Sequence, residues 1–183
     1  MPETRLQPES RITPAWDDAE LDSLHENAAK HDKVRAMFNA IARSYDLNNR
    51  VHSLWRDEAW RKQAVLTADV RPGEAVLDCA CGTGDLTQAF ARYSRAAHIT
   101  GTDYTPGMLE VAHHKRNSLH DRIADRISYR QADAQDLPFE DASFDVVSIA
   151  FGIRNVQDPR KAVGEFARVL RPGGRLVILE FGQ

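Results

Sequence analysis

Apolar and polar positions follow two different patterns along the chain, and the change falls near Val70. From there on, short apolar runs alternate with stretches whose apolar residues recur at helical spacing. The runs predict strands at 75–80, 98–103, 127–131, 144–150 and 175–181, and the stretches predict helices at 84–94, 105–118 and 159–170. This alternation is typical of a parallel sheet with helices on both faces, so we expect an α/β fold.

The first 68 residues do not show this alternation. Residues 1–30 contain three prolines and seven acidic against three basic residues, which predicts a flexible acidic tail. Residues 31–68 carry apolar side chains at helical spacing, among them Val34, Met37, Phe38 and Ile41. We predict two short helices there, broken around Asn48-Asn49, and a sheet domain over residues 69–183.

Composition narrows the class of protein. The chain has 183 residues, 42% of them hydrophobic and 28% charged, which suits one globular domain with an extra segment. A net charge of −3 and a pI near 6.2 give no reason to expect nucleic acid as a partner. No apolar run approaches the roughly 20 residues that span a bilayer, and the first residues lack a secretory core, so we expect a cytoplasmic protein.

The two cysteines, Cys79 and Cys81, stand at the end of the first predicted strand. A metal site needs more ligands than this pair supplies, and no matching cluster of cysteine or histidine stands elsewhere in the sequence. We therefore interpret them as small packing residues, and we expect no metal.

The turn after that strand carries the candidate chemistry. Its glycine positions read Ala80, Gly82 and Gly84, with Asp85 directly after them, so the dinucleotide pattern G-x-G-x-x-G is absent. A carboxylate at Asp85 would repel a pyrophosphate, whereas a sulfonium cofactor with an amino group tolerates acidic neighbours. The turn favours S-adenosylmethionine, and the candidate contacts in it are Asp78, Gly82, Thr83 and Gly84.

Two further acidic residues end predicted strands. Asp103 closes the second strand, where a carboxylate can accept hydrogen bonds from both ribose hydroxyls, although a solvated loop residue or a helix cap is the structural alternative. Asp133-Ala134 follows the third strand. There the carboxylate can accept from the adenine amine while the alanine leaves room for the ring, although such a pair alone says little.

At this point the sequence resembles the class I S-adenosylmethionine-dependent methyltransferases, and in particular the quinone C-methyltransferases of menaquinone and ubiquinone synthesis. The motifs that carry the resemblance are Tyr45-Asp46-Leu47-Asn48-Asn49, Gly82-Thr83-Gly84-Asp85-Leu86-Thr87, Leu137-Pro138-Phe139, Phe151-Gly152-Ile153-Arg154-Asn155-Val156 and Arg168 through Gly174 with Glu180-Phe181. The match runs from about residue 34 to the end. It implies a Rossmann-like, mostly parallel sheet with N-terminal helices that form a lid.

The sequence departs from the family pattern in several places. The family has glycines where Ala80 and Cys81 stand and a serine at Ala150, which the resemblance places against the cofactor. We expect the cofactor site to tolerate Ala80 if the backbone there does not need a positive φ. The family fold also closes with two more strands. The sequence stops just after its fifth strand, so we expect a fragment, a truncated product, or a partner that completes the sheet.

The resemblance implies methyl transfer from S-adenosylmethionine to a ring carbon of a polyprenylated quinol. It makes Arg154, Asn155 and Tyr45 the candidate catalytic residues, although by default an arginine pairs with a carboxylate and a tyrosine packs. A lipid-tailed quinol also implies peripheral contact with the inner face of the cytoplasmic membrane, and self-association stays open. The rival hypotheses are a class I methyltransferase with another small substrate and a truncated cofactor-binding remnant without activity.

Overall fold

The computed structural model describes residues 35–42 and 56–180, and these form an α/β fold around one sheet. In chain order the elements are α1 (35–42), α2 (Asp57–Thr67), β1 (Ala75–Cys79), α3 (Asp85–Tyr93), β2 (His98–Asp103), α4 (Pro106–Asn117), α5 (Asp121–Ala124), β3 (Ile127–Gln131), β4 (Phe144–Ala150), a short 3₁₀ segment (Ile153–Asn155), α6 (Pro159–Val169) and β5 (Leu170–Leu179). The five strands lie in the order β3-β2-β1-β4-β5, and every pair is parallel. The predicted fold class is confirmed.

The central strands β1 and β4 are buried on both faces, and neighbouring residues of each strand point to opposite sides. On one face, Val76 of β1 and Val146 of β4 pack with Phe90 of α3. On the other face, Leu77 and Val147 belong to a second core with Ala162, Phe166 and Val169 of α6. This explains why the central strands read as continuous apolar runs rather than as alternating ones.

From residue 69 on, the predicted element bounds agree with the structure to within one residue, except in β5. The prediction places this strand at 175–181, whereas the structure begins it at Leu170, directly after α6. Leu170 pairs with Phe144 and Arg175 pairs with Val146, so the intervening Pro-Gly-Gly stretch forms an irregularity within the strand rather than a turn before it. The short α5 and the 3₁₀ segment were not predicted, because each is too brief to show a period.

Asp103 fixes the backbone just before α4. Pro106 begins the helix and Thr105 precedes it, and the Thr105 side chain makes no capping hydrogen bond. The Thr105 backbone N–H donates to Asp103 Oδ1 at 2.8 Å. The carboxylate at the end of β2 therefore holds the turn that leads into α4.

Arg168 of α6 fixes the loop that follows β3. Its Nη2 donates to the carbonyl oxygen of Leu137 at 2.9 Å and its Nη1 to that of Phe139 at 2.7 Å. Glu165 accepts from Arg168 and also from the Leu137 N–H at 2.8 Å. The Arg168 hydrogen bond is the largest cause of the lowered Glu165 pKa. This network holds the end of the loop that carries Asp133 and Ala134.

Several predictions lie outside the described residues, namely the tail over 1–30, the helix break at Asn48-Asn49 and Tyr45. The division at residues 68 and 69 stays a prediction. Within residues 35–42 and 56–180 no helix is long and apolar enough to cross a bilayer. The same residues hold no group of three or more histidine, cysteine, aspartate or glutamate side chains that could bind a metal.

Candidate functional site

A cavity opens where the carboxyl ends of β1, β2 and β4 meet, and it contains about 750 Å³ of space, part of it open to solvent. We call it the main cavity. Its lining includes the predicted residues Gly82, Asp103, Asp133, Ala134, Ala150 and Asn155, together with Arg35, Phe38, Ala80, Tyr104, Thr105, Met108, Ala132, Gln135, Phe151, Gly152 and Val156. Ligands bind at this edge of open parallel sheets, and residues that end or follow β1, β2, β3 and β4 converge there.

Asp103 joins the two turns that form the floor of the main cavity. Its Oδ2 accepts from the Gly82 N–H at 2.9 Å and its Oδ1 accepts from the Thr105 N–H at 2.8 Å. The side chain is largely buried, and this burial raises its pKa despite the two backbone hydrogen bonds. Each carboxylate oxygen can accept more than one hydrogen bond, so the group can hold both turns and still accept from a ligand.

Asp133 and Gln135 form the far end of the lining. Asp133 Oδ1 accepts from the Gln135 N–H at 2.9 Å and from Gln135 Nε2 at 3.1 Å. Gln135 Oε1 in turn accepts from the Asp158 N–H at 2.9 Å, at the start of α6. The orientation of the Asp133 carboxylate is therefore set by a buried glutamine, which the sequence prediction missed because glutamine carries no motif.

The turn between β1 and α3 is built on left-handed backbone conformations. Gly84 has φ +82° and precedes α3, and a Cβ there would collide with the Tyr129 side chain. Ala80 has a φ of +50°, in a region that residues other than glycine rarely adopt. We expected alanine to be tolerated at this position if the backbone did not need a positive φ. The backbone does adopt a positive φ, so Ala80 carries some backbone strain.

Asp78 lies beneath this turn and does not line the main cavity. Its side chain is 1% exposed, and it accepts from Thr87 Oγ1 at 2.6 Å and from Ser148 Oγ at 3.0 Å. Burial raises the Asp78 pKa to about 6. The two hydroxyls tie β1 to α3 and β4, so Asp78 supports the turn from below in addition to its predicted role as a cofactor contact.

A second cavity, with about 400 Å³ of space, continues from the turn. It shares Ala80, Gly82, Ala150 and Phe151 with the main cavity. Its other lining residues are Arg61, Asp78, Cys81, Thr83, Asp85 and Leu86. Thr83 is thus a predicted residue that lines this second cavity. Gly84 lines neither, and its part is conformational.

Asp85 is not the isolated negative charge that the sequence interpretation assumed. One oxygen forms an ion pair with Lys115 of α4, and the other lies 3.3 Å from Arg61 Nη2 of α2. Two nearby cations offset much of its repulsion toward an anion. The choice of cofactor therefore depends less on Asp85 than the sequence interpretation assumed.

Arg154 and Asn155 differ in their placement. Asn155 lines the main cavity, whereas Arg154 is not among its lining residues and donates from Nη1 to Glu180 Oε1 at 2.8 Å. The Arg154 side chain is 53% exposed and that of Glu180 is 22% exposed. The ion pair connects the 3₁₀ segment to the residue that follows β5.

The N-terminal helix α1 contributes residues that no motif identified. Arg35 and Phe38 line the main cavity, and the Arg35 guanidinium carbon lies 5.1 Å from the centre of the Tyr104 ring. Asn39 Oδ1 accepts from the Gly107 N–H at 2.9 Å, at the start of α4. The only sequence signal for these contacts was the helical spacing of the apolar residues around them.

Cys79 ends β1, and Cys81 lies in the turn after it. Cys79 is buried in the core, and both thiols are free. Burial raises the pKa of both thiols. His113 and His114 are exposed on α4, away from both cavities.

The sheet order and the cavity at its carboxyl edge define a Rossmann-like methyltransferase fold. The YcgJ protein from Bacillus subtilis has a similar structure, with a TM-score of 0.61 and 32% identity over 67% of this chain and 50% of that chain. Residues 26–183 match the model of the ubiE/COQ5 methyltransferase family. The chain belongs to this family, whose members depend on S-adenosylmethionine, so the resemblance stated from the sequence is confirmed.

Curated relatives support the same assignment. The chain is 47% identical to the ubiquinone/menaquinone biosynthesis C-methyltransferase UbiE of Bdellovibrio bacteriovorus, over 82% of this chain and 62% of the relative. It is 44% identical to the demethylmenaquinone methyltransferase of Clavibacter sepedonicus, over 83% of this chain and 59% of the relative. The chain thus spans about three fifths of the length of these relatives.

The backbone strain at Ala80 leads to a stability prediction. A left-handed residue other than glycine costs roughly 1–2 kcal/mol, while glycine loses about 0.4–1 kcal/mol through its more flexible unfolded state. Ala80→Gly should therefore increase the free energy of unfolding by about 0.5–1 kcal/mol, measured by urea denaturation. Ala132→Gly is the control, because Ala132 lies in the same lining without a positive φ, and it should destabilise. Equal destabilisation by both changes would contradict the strain at Ala80.

The buried Asp78 carboxyl leads to a prediction about pH. Its folded-state pKa of about 6 lies above its ordinary value of 3.8, so the folded protein holds a proton that the unfolded chain releases between these values. The contribution of the Asp78 carboxyl to the free energy of unfolding is therefore fully present below about pH 4, and it is lost as the pH rises to about 6. Asp78→Asn should remove this loss, and its advantage over the original chain should grow to at most about 3 kcal/mol by pH 7.

Urea denaturation of both chains between pH 4 and pH 7 measures this difference. The exposed Asp125→Asn change is the control and should leave the pH profile as it is. A constant offset between Asp78→Asn and the original chain at every pH would show that the buried group does not titrate in this range.

Proposed function

We propose that the chain binds S-adenosylmethionine in the main cavity and that the protein transfers its methyl group to a ring carbon of a polyprenylated quinol. The observation that carries the proposal is the buried Asp103 carboxylate, which stands at the carboxyl edge of the sheet between a glycine-containing turn and the Asp133-Ala134 pair. Family membership supports the reaction type. The names of the relatives support demethylmenaquinol, or the benzoquinol of ubiquinone synthesis, as the acceptor.

The residues present fit the cofactor. Asp103 offers acceptors for two ribose hydroxyls, and Asp133 offers one for an adenine amine. Ala80, Ala134 and Ala150 leave space that larger side chains would fill, and Ala150, which stands where the family has a serine, lacks the serine hydroxyl and does not narrow the cavity. When bound, S-adenosylmethionine supplies an electrophilic methyl group on sulfur, so no metal is required of the chain.

The acceptor carbon needs a different kind of help. A quinol ring carbon is nucleophilic while a ring hydroxyl donates electrons into it, most strongly as the oxyanion. The Arg154 guanidinium can stabilise that oxyanion, or it can orient a water that removes the proton from the ring hydroxyl. Asn155 can orient the hydroxyl within the cavity. Glu180 fixes the position of Arg154 through their 2.8 Å hydrogen bond. Tyr45 stays a further candidate for contact with the quinol.

Two rival functions start from the same cofactor site. A methyltransferase with another small acceptor would keep the main cavity and change only what faces Arg154. A cofactor-binding protein without activity would keep the cavity and transfer nothing. Contact with a membrane surface and self-association stay predictions that follow from the lipid tail of the proposed substrate.

Cofactor binding is tested by calorimetry with S-adenosylhomocysteine, the product form of the cofactor. The original chain should bind it, and Asp103→Asn should bind about 10- to 100-fold more weakly, because a charged acceptor for the ribose hydroxyls is lost. Asp136→Asn is the control, since Asp136 is exposed and lines neither cavity. A thermal unfolding curve confirms that Asp103→Asn still folds. No binding by the original chain would reject the proposal at its first step.

Methyl transfer to demethylmenaquinol tests the second half of the proposal. Arg154→Ala should lower kcat about 100-fold or more and leave the dissociation constant for S-adenosylhomocysteine within about twofold, because Arg154 acts on the acceptor. Arg160→Ala, an exposed arginine at the start of α6, should change neither. Equal losses in turnover and cofactor affinity would contradict this division of roles. Binding without transfer by the original chain would favour one of the two rival functions.

A further inference from the structure

The main cavity and the second cavity lie side by side along the β1–α3 turn. They share four lining residues, Ala80, Gly82, Ala150 and Phe151, so a ligand in the main cavity has the second cavity directly beside it. The nucleoside part of the proposed cofactor has its acceptors at Asp103 and Asp133, in the main cavity. The rest of the molecule is an amino acid joined through sulfur, and it carries both a carboxylate and an ammonium group.

The second cavity matches such a zwitterionic end. Its lining contains two carboxylates, Asp78 and Asp85, and one cation, Arg61. Asp78 is fully buried and hydrogen-bonded to two hydroxyls, whereas the Asp85 side chain is 22% exposed. A carboxylate that can attract an ammonium, Asp85, and a cation that can attract a carboxylate, Arg61, thus lie around the same space.

Arg61 is held in place before any ligand binds. Its side chain is 11% exposed, its Nη1 donates to Asp57 Oδ2 at 2.5 Å, and its Nη2 lies 3.3 Å from Asp85 Oδ2. A guanidinium carries five N–H donors in a planar fork, and these two contacts do not use them all. Such an oriented arginine can bind a carboxylate with little loss of side-chain freedom.

Lys115 supplies Asp85 with a second cation. Lys115 pairs with the other oxygen of Asp85 and lies 3.3 Å from Thr83 Oγ1. Asp85 is therefore shared by two cations, and Arg61 can turn one of its N–H groups from Asp85 to a ligand without leaving Asp85 unpaired. The arrangement favours exchange of one partner of Arg61 for a ligand carboxylate.

We infer that Arg61 of α2 binds the α-carboxylate of the amino-acid part of S-adenosylmethionine. The inference rests on the proposed function, because it presumes that the nucleoside occupies the main cavity. It makes α2, a helix that precedes the whole sheet, a component of the cofactor site. The alternative is that Arg61 only tethers α2 to Asp57 and Asp85.

Two ligands that share the nucleoside distinguish these roles. S-adenosylhomocysteine carries the amino acid, whereas 5′-methylthioadenosine has the same adenosine and thioether without it. Calorimetry with the full chain should show that Arg61→Gln weakens binding of S-adenosylhomocysteine about 10- to 100-fold and leaves binding of 5′-methylthioadenosine within about twofold. Lys62→Gln, an exposed neighbour on the same helix, should leave both affinities unchanged.

Each other outcome contradicts a defined claim. Unchanged affinity of Arg61→Gln for S-adenosylhomocysteine, or equal loss for both ligands, would overturn the inference and leave Arg61 as a tether. Failure of the original chain to bind either ligand would reject the proposed function and the inference with it. If Arg61→Gln does not fold, Arg61→Lys gives the same comparison: it should lose affinity only for S-adenosylhomocysteine, because lysine keeps the charge but cannot form two parallel hydrogen bonds.

Discussion

The candidate site depends on the pair of backbone hydrogen bonds that the Asp103 carboxylate accepts. One comes from Gly82, in the turn after β1, and the other from Thr105, before α4. A further bond from the Cys81 N–H to the Thr102 carbonyl oxygen, 2.9 Å long, links the same two chain segments. Because both turns are fixed relative to one carboxylate, the floor of the main cavity is formed before any ligand arrives. Such preorganisation lowers the entropy that binding would otherwise cost.

The acidic residues near the turn are stabilised in three different ways. Their burial and their partners determine which of them can contact a ligand. Asp78 is enclosed and hydrogen-bonded to Thr87 and Ser148, so its effect is on stability and pH dependence. Asp103 is largely buried but faces the main cavity, so it keeps acceptor capacity for a ligand. Asp85 is balanced by Lys115 and Arg61, so its charge is shared and can be redistributed. Residue type alone could not separate these roles, because burial and partners decide them.

Much of the fold could be predicted from the sequence. The parts that could not be predicted have a common cause. The strands β1 to β4, the position of Asp103 at the end of β2 and that of Asn155 just beyond β4 follow from local periodicity and from the geometry of parallel sheets. The positive φ at Ala80 and the contact between Arg61 and Asp85 depend on how distant segments pack, and no local pattern records them. The start of β5 at Leu170 was missed because Pro172 and the glycines after it indicate a turn, while pairing with β4 keeps them in the strand.

The two halves of the proposed reaction differ in how firmly the structure holds them. The residues proposed to surround the nucleoside stand on turns that are fixed by hydrogen bonds, such as the one that Gln135 Oε1 accepts from the Asp158 N–H at the start of α6. Arg154 stands on a short 3₁₀ segment, is half exposed, and is held by its ion pair with Glu180 after β5. An exposed ion pair contributes little to stability, so the effect of this pair is to fix the position of Arg154. Substitutions at a few residues near Arg154 can therefore change which acceptor is methylated without disturbing the proposed cofactor site. For this reason a fold that many enzymes share does not by itself determine the acceptor.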